Sequence, residues 1–246
     1  MNGERAFMKF NRVVCRIFSA VMLCILAFLS FISLLSTTYI SDNETVFYVS
    51  DRPYVHFFVL LILLVCLYLA KTKWKLNEKI NKKFIFGLGI TISVLLVIYV
   101  LAAMFYPRFD QRQVVYIAAQ MLWGDYTEFQ PGGYAEIYPH QNGILLFYEI
   151  LTFVFGANNG VAIQMVNLVF IAASFAALYF MFKLLTEKYL YTTAAVMLFL
   201  PLWGFVSFVY GNVPGFSFGM WALYFALKYL QDKKWSAMIA GSVCMA

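Results

Sequence analysis

The stretch GILLFYEILTFVFG, residues 143–156, decides how the chain is threaded, because every later loop lies on one side of a membrane or the other according to whether this stretch crosses. It is apolar, but it is only 14 residues long and carries Glu149. A helical crossing of a ~30 Å hydrocarbon core takes about 20 residues. The run therefore reads as an interfacial or re-entrant helix, with Glu149 as a carboxylate that snorkels to the surface.

Longer apolar runs lie on both sides of it. Six have the length and composition of spans: about 13 to 37, 53 to 70, 84 to 106, 161 to 182, 190 to 209 and 214 to 230, with a seventh apolar stretch from Trp235 to Ala246. The whole chain of 246 residues is 63% apolar and 12% charged, with a mean hydropathy of +0.77. A water-soluble domain carries roughly 25% charge and about 45–50% apolar residues. The expected fold is therefore all-α: a polytopic helical membrane protein with about six spans plus an outer loop with juxtamembrane helices. The same composition excludes a disordered chain, a disulfide scaffold and a soluble basic nucleic-acid binder, so no nucleic-acid partner is expected.

Charge arbitrates the threading. If residues 143–156 do not cross, 15 of the 18 basic residues fall on one side and only Arg52, Arg108 and Arg112 on the other. If they do cross, the division is 10 against 8. Basic loops stay in the cytoplasm, so the first arrangement is expected: a multi-pass protein of the cell membrane with a cytoplasmic N-terminus and one large outer segment, about Pro107 to Gly160. Two regions follow. Residues 1–83 form an N-terminal two-span region with the basic cytoplasmic loop KTKWKLNEKINKK, and residues 84–246 form the main transmembrane module. The basic start before an apolar run resembles a signal peptide, but the run is too long and no small-x-small site follows it, so a retained anchor is expected. Cys15, Cys24, Cys66 and Cys244 lie in or beside spans, and they predict neither a disulfide framework nor a metal site.

The outer segment carries the chemistry. Residues 99–143 read YVLAAMFYPRFDQRQVVYIAAQMLWGDYTEFQPGGYAEIYPHQNG. Pro107 ends the third span, because proline disfavours helical geometry in the residue before it and lacks an amide hydrogen. Asp110 then sits where hydrocarbon meets water, flanked by Arg108 and Arg112. Val114, Val115, Ala118, Met121 and Leu122 recur at helical spacing, which predicts an amphipathic helix over 111–122 lying along the membrane surface. The Gly and Pro turns after it bring Asp125, Glu128, Glu136 and His140 into a compact, tyrosine-rich loop. Such a loop over the mouth of a helix bundle makes a polar pocket beside lipid, suited to a water-soluble acceptor meeting a lipid-borne donor. Each feature also has a plainer reading: Asp110 as a solvating helix-end charge, His140 as an ordinary interfacial histidine, the tyrosines and tryptophans as interface anchors, and His56 as structural.

An aspartate directly after a span, the pattern V-x-x-x-A-x-x-x-x-x-GDY from Val114, a loop ending in YPHQNG and a short apolar helix ending in FG together resemble the first outer loop of GT-C membrane glycosyltransferases. The closest resemblance is to bacterial members related to the protein mannosyltransferases of glycosyltransferase family 39. LFLPLWGFVSFVYGNVPGFSFGMWALYFALKYLQDKKW, residues 198–235, resembles the region that carries the second outer motif of that superfamily. The resemblance covers roughly Tyr99 to Trp235, and the order and spacing of its motifs supply most of its specificity.

The resemblance implies an inverting transfer of sugar from a polyisoprenyl-phosphate or diphosphate donor to a glycan, lipid or protein acceptor at the outer membrane face. Asp110 matches the first-loop acidic residue, which acts as general base or metal ligand; a divalent metal is thus a possible cofactor, with no metal ligand assigned. Charge developing on the departing phosphate needs cationic or hydrogen-bonding neighbours, and Arg112 and His140 are the candidates, with Glu136 a further substrate-binding candidate in the same loop. Where many relatives carry a second acidic residue, this chain has Tyr210, Gly211, Asn212, Val213 and Pro214. Asn212 offers hydrogen bonds to sugar or phosphate but no base. Family members usually continue through several more spans, so the chain reads as an N-terminal portion of a longer enzyme. Two alternatives stand beside this reading: a transporter or flippase-like protein, against which the edge clustering of charges and the lack of an inverted repeat count, and an inactive truncated membrane remnant.

Overall fold

A computed structural model describes residues 2–40, 46–72, 78–186 and 200–245. The described residues are mainly helical, and the chain divides into two compact units, Met1–Thr72 and Lys73–Ala246. The division falls inside the basic segment 71–83.

In the first unit, α1 (Asn2–Leu35) leads into a two-stranded antiparallel hairpin, β1 (Ser36–Ile40) and β2 (Val46–Ser50), followed by α2 (Pro53–Thr72). The helix expected to reach residue 37 stops at Leu35, because Ser36 and Thr37 pair with Ser50 and Val49. The segment STTYI has the β-branched and aromatic residues that suit strands. Asp51 closes the hairpin: its N–H donates to the Leu35 carbonyl at 2.8 Å, and its carboxylate accepts from Thr37 Oγ1 at 2.7 Å and lies 3.8 Å from His56 Nε2. His56 is thus a structural partner of this turn.

The second unit begins with α3 (Glu78–Ala103), α4 (Phe109–Leu122), the one-turn α5 (Tyr134–Ile137), α6 (Asn142–Phe155) and α7 (Gly160–Leu185). A 3-10 helix over Leu200–Ser207 follows, then α8 (Asn212–Asp232) and α9 (Trp235–Met245). α3 ends three residues before the expected boundary. The chain leaves helical geometry at Met104, whose φ is 42°, and Pro107 instead packs against Gly160. The first half of the run expected to cross at 190–209, residues 190–199, lies outside the described residues. Its described end is the 3-10 helix, not the end of an α-helical span.

Among the described residues, three helices are long and apolar enough to cross a membrane: Val13–Leu35, Lys82–Ala103 and Gly160–Leu185. Pro53–Cys66 and Trp235–Met245 are shorter apolar helices. Apolar side chains of α1 stand exposed on all its faces, Phe18, Leu23, Phe28 and Phe31 among them, as on a helix whose solvent is lipid. α6 has 14 residues and rises about 21 Å, short of a ~30 Å core. Gly156, at φ 90°, ends it. Asn159 then turns the chain into α7, accepting from Ala162 N and donating to Phe155 O, both at 3.0 Å.

Two cores position the segment 107–160. In the first, Val114, Ile117 and Ala118 of α4 pack with Leu145 and Tyr148 of α6, Ile163 of α7 and Val209. The apolar stripe of α4 is therefore covered by α6 and not left free to lie on lipid, as its amphipathic pattern suggested. The stripe is also wider than expected, with Ile117 and Ala119 buried too. In the second core, Val100 of α3 meets Leu168 and Ile171 of α7, Trp203 and Val206 of the 3-10 helix, and Val213.

Candidate active site

Three amides fasten distant segments to one another at the end of this unit that carries residues 105–111. Gln164 Nε2 donates to the Phe105 carbonyl at 2.8 Å. Asn167 Nδ2 donates to the carbonyls of Val206 (3.2 Å) and Phe208 (2.9 Å). Gln111 Oε1 accepts from Val209 N at 2.9 Å. Buried polar groups need such partners. Together they lay the loop 208–211 against the first turn of α4, where Asp110 sits.

The loop between α4 and α6 is held by its own carboxylates. Asp125 accepts from Thr127 N (3.0 Å), Thr127 Oγ1 (2.5 Å) and Gln120 Nε2 (2.9 Å). These bonds, with the Thr127 side chain foremost, hold its carboxyl below the ordinary aspartate value. Glu128 accepts from Tyr134 N at 2.8 Å and from Gln113 Nε2 at 3.5 Å, so it ties α5 to α4. The chain there is so tight that a Cβ on Gly133 would lie 2.4 Å from the Glu128 carbonyl oxygen. Glu136 accepts from Gly132 N at 3.3 Å and so serves the same turn, although it remains exposed.

These ties bring a polar cluster together. The hydroxyls of Tyr134 and Tyr210 are hydrogen-bonded, and burial, then this bond, then the charges of its neighbours, Asp110 included, push Tyr134 well above the ordinary tyrosine value. Gln141, only 7% exposed, donates through Nε2 to the Tyr210 hydroxyl, and the same nitrogen lies 3.4 Å from His140 Nε2. Tyr138 packs on Tyr134 (4.8 Å between ring centres) and on His140 (6.1 Å).

Of the residues singled out from sequence, Asp110 and His140 border this cluster, and Asn212 is exposed at the start of α8, two residues after Tyr210. Arg112 is not part of it. Residues two apart on a helix do not share a face, and the Arg112 guanidinium lies 6.0 Å from the centre of the Tyr106 ring. Phe109, next to Asp110, has a φ of 49°, a left-handed conformation that costs a bulky residue about 1–3 kcal/mol. Among the described residues no three His, Cys, Asp or Glu side chains converge as a metal site.

Sequence reasoning missed Tyr134, Gln141, Gln111 and the role of Tyr210. The usable signal was Gln164 and Asn167: an amide inside an apolar run needs a partner, and theirs lie on other segments, whereas Gln111 and Gln141 stand in polar stretches that give no such sign. No family model, curated protein or solved structure matches the chain.

Proposed function

We propose that this protein transfers a sugar from a polyisoprenyl-phosphate donor to an acceptor at the outer face of the cell membrane. In this reading the chain is multi-pass, with its N-terminus in the cytoplasm, and residues 107–160 face outward. The observation that carries the reading is the position of Asp110: an exposed carboxylate beside the Tyr134, Tyr210, Gln141 and His140 cluster, three residues from the tight turn that follows a helix fit to span a membrane. The arrangement supplies a base at the point where a lipid-borne group and a water-borne group meet.

The chemistry balances without a further reactant. Asp110 takes the proton of the acceptor hydroxyl while its oxygen attacks C1 of the sugar. The C1–O bond to phosphate breaks, and its electron pair leaves with the phosphate oxygen. Attack opposite the departing phosphate inverts C1. Hydrogen-bond donors in the cluster stabilise the charge that develops on the leaving group.

The test is Asp110→Asn, which keeps the shape and removes the base. Membranes holding the full chain are supplied with polyisoprenyl-phosphate hexose carrying a radiolabel in the sugar. The wild type is expected to move label to an acceptor, and the variant to insert normally and lose transfer by about 100-fold or more. Undiminished transfer by the variant overturns the assignment of Asp110.

A further inference from the structure

α8 turns two different faces to its neighbours. Met220, Tyr224 and Leu227 pack on Leu178 and Met181 of α7, a helix fit to span a membrane. Another face meets α9, and the two helices border an open groove of about 770 Å³, well within the ~300–1,000 Å³ of ligand pockets. Small residues make the room: Gly219, Ala222 and Ala226 on α8, Ala237 and Gly241 on α9. The lining is almost wholly apolar. Ser242 Oγ donates back to the Met238 carbonyl at 3.1 Å within α9, so it offers its proton to no partner. From Leu230 to Gly219 the groove follows α8 for a rise of about 17 Å, close to the depth of one leaflet of a ~30 Å hydrocarbon core. Its Leu230 end lies by the turn into α9. Lys233, left-handed at φ 53°, and Lys234 stand exposed there. The Lys233 ammonium lies 5.8 Å from the centre of the Tyr229 ring, and Tyr229 lines the groove. Among the described residues neither lysine is ion-paired.

We propose that this groove holds one anionic phospholipid, with its phosphate at Lys233 and Lys234 and an acyl chain laid along α8 toward Gly219. The inference goes beyond the transfer reading and shares with it only the membrane threading. The groove has the polarity of such a lipid: two free cations at one end and hydrocarbon for the rest of its length. Asp232 does not cancel them, because it follows Leu230 by two positions and residues two apart on a helix do not share a face. Trp235, exposed beside the lysines, is of the type that sits at the headgroup level. In the proposed threading this turn faces the cytoplasm, where anionic headgroups attract basic segments. The length also suits an acyl chain, which ends near the middle of the bilayer. A spanning helix of a second copy is a poorer match, since it would run past a groove of about 17 Å and has no use for cations at one end.

Lipid binding to the full chain tests this apart from catalysis. The protein in detergent is titrated with phosphatidylglycerol, with phosphatidylcholine of the same chains, and with inorganic phosphate, and native mass spectrometry counts what stays bound. The wild type is expected to retain one phosphatidylglycerol in preference to the other two. Lys233→Gln together with Lys234→Gln is expected to weaken phosphatidylglycerol about tenfold or more and to leave phosphatidylcholine unchanged. Ala226→Leu fills the groove without touching the lysines, and it should weaken both lipids. Gly219→Leu should do the same from the far end, where a Cβ meets nothing within 4 Å, so it keeps the wild-type unfolding temperature. Equal affinity of the wild type for the two lipids overturns the proposal. So does wild-type affinity for phosphatidylglycerol in the double lysine variant or in Gly219→Leu. Inorganic phosphate binding as tightly as phosphatidylglycerol overturns the lipid as the ligand. A wild-type dimer that Ala226→Leu and Gly219→Leu separate gives the groove to a second copy and overturns the proposal as well.

Discussion

The backbone N–H of Val209 donates to Gln111 Oε1 at 2.9 Å across 98 residues of sequence, so the turn that carries Asp110 and the loop that carries Tyr210 share one bond. Val209 is fully buried. Gln111→Leu would leave its N–H without a partner, at a cost of about 1–3 kcal/mol. The expected result is a lower unfolding temperature in detergent together with loss of transfer. Gln111→Glu keeps the acceptor oxygen and should retain most of the stability. Equal stability for Gln111→Leu and the wild type would show that water replaces the bond.

Gly133 is fixed by contact and not by backbone conformation. A methyl group there would meet the Glu128 backbone at 2.4 Å, and overpacking of this kind costs about 1–3 kcal/mol. Gly133→Ala should loosen the 127–137 loop and expose it to limited proteolysis. Gly143→Ala is the control, since its Cβ would meet nothing within 4 Å. Equal cleavage of the two variants refutes the prediction.

The loop should open from both ends of the pH scale. Asp125 titrates below its ordinary value in the folded state because Thr127 and Gln120 bond its charged form. Its contribution is present above the unfolded value and fades as pH falls through the folded one, below about pH 4. Tyr134 titrates above its ordinary value. Its contribution is full below the unfolded value and fades as pH rises, from about pH 10 upward. Hydrogen exchange of residues 123–138 should be slowest between these limits. Asp125→Asn should abolish the acid limb, and Tyr134→Phe the alkaline one.

The proposed orientation predicts where reagents reach. In a chain with Cys15, Cys24, Cys66 and Cys244 replaced by alanine, a thiol introduced by Gln130→Cys should react with an impermeant maleimide on intact cells. One introduced by Asp232→Cys should react only after the membrane is opened. Both positions are exposed, so burial does not confound the comparison. Labelling at both sites in intact cells contradicts the cytoplasmic placement of the 228–234 basic cluster.

The sequence made the helices legible because their pattern is one of long apolar runs, which depend on composition more than on packing. Residues 84–103 and 161–182 lie within helices fit to span a membrane, and all of 143–156 but its last residue lies in the 14-residue helix Asn142–Phe155. What escaped was decided between segments. Ser36 and Thr37 look like a helix end until Val49 and Ser50 pair with them. α3 stops at Ala103 because Met104 turns left-handed, which no property of methionine announces. The pairing of Arg112 with Tyr106, and the convergence of Gln141 and Tyr134 on Tyr210, join residues up to 76 positions apart in the chain (210 minus 134).

Phe109 bears on how Asp110 is aimed. Among the described residues no hydrogen bond or ion pair holds the Asp110 side chain, so its direction is inherited from a main chain wound the uncommon way at the residue before it. The carboxylate is mounted on a bent backbone and not clamped by a neighbour. Substitutions of surrounding side chains that do not anchor this turn should therefore leave its bearing intact. A glycine at position 109 would ease the strain and let that bearing wander, making the protein sturdier and the site less accurate through the same change.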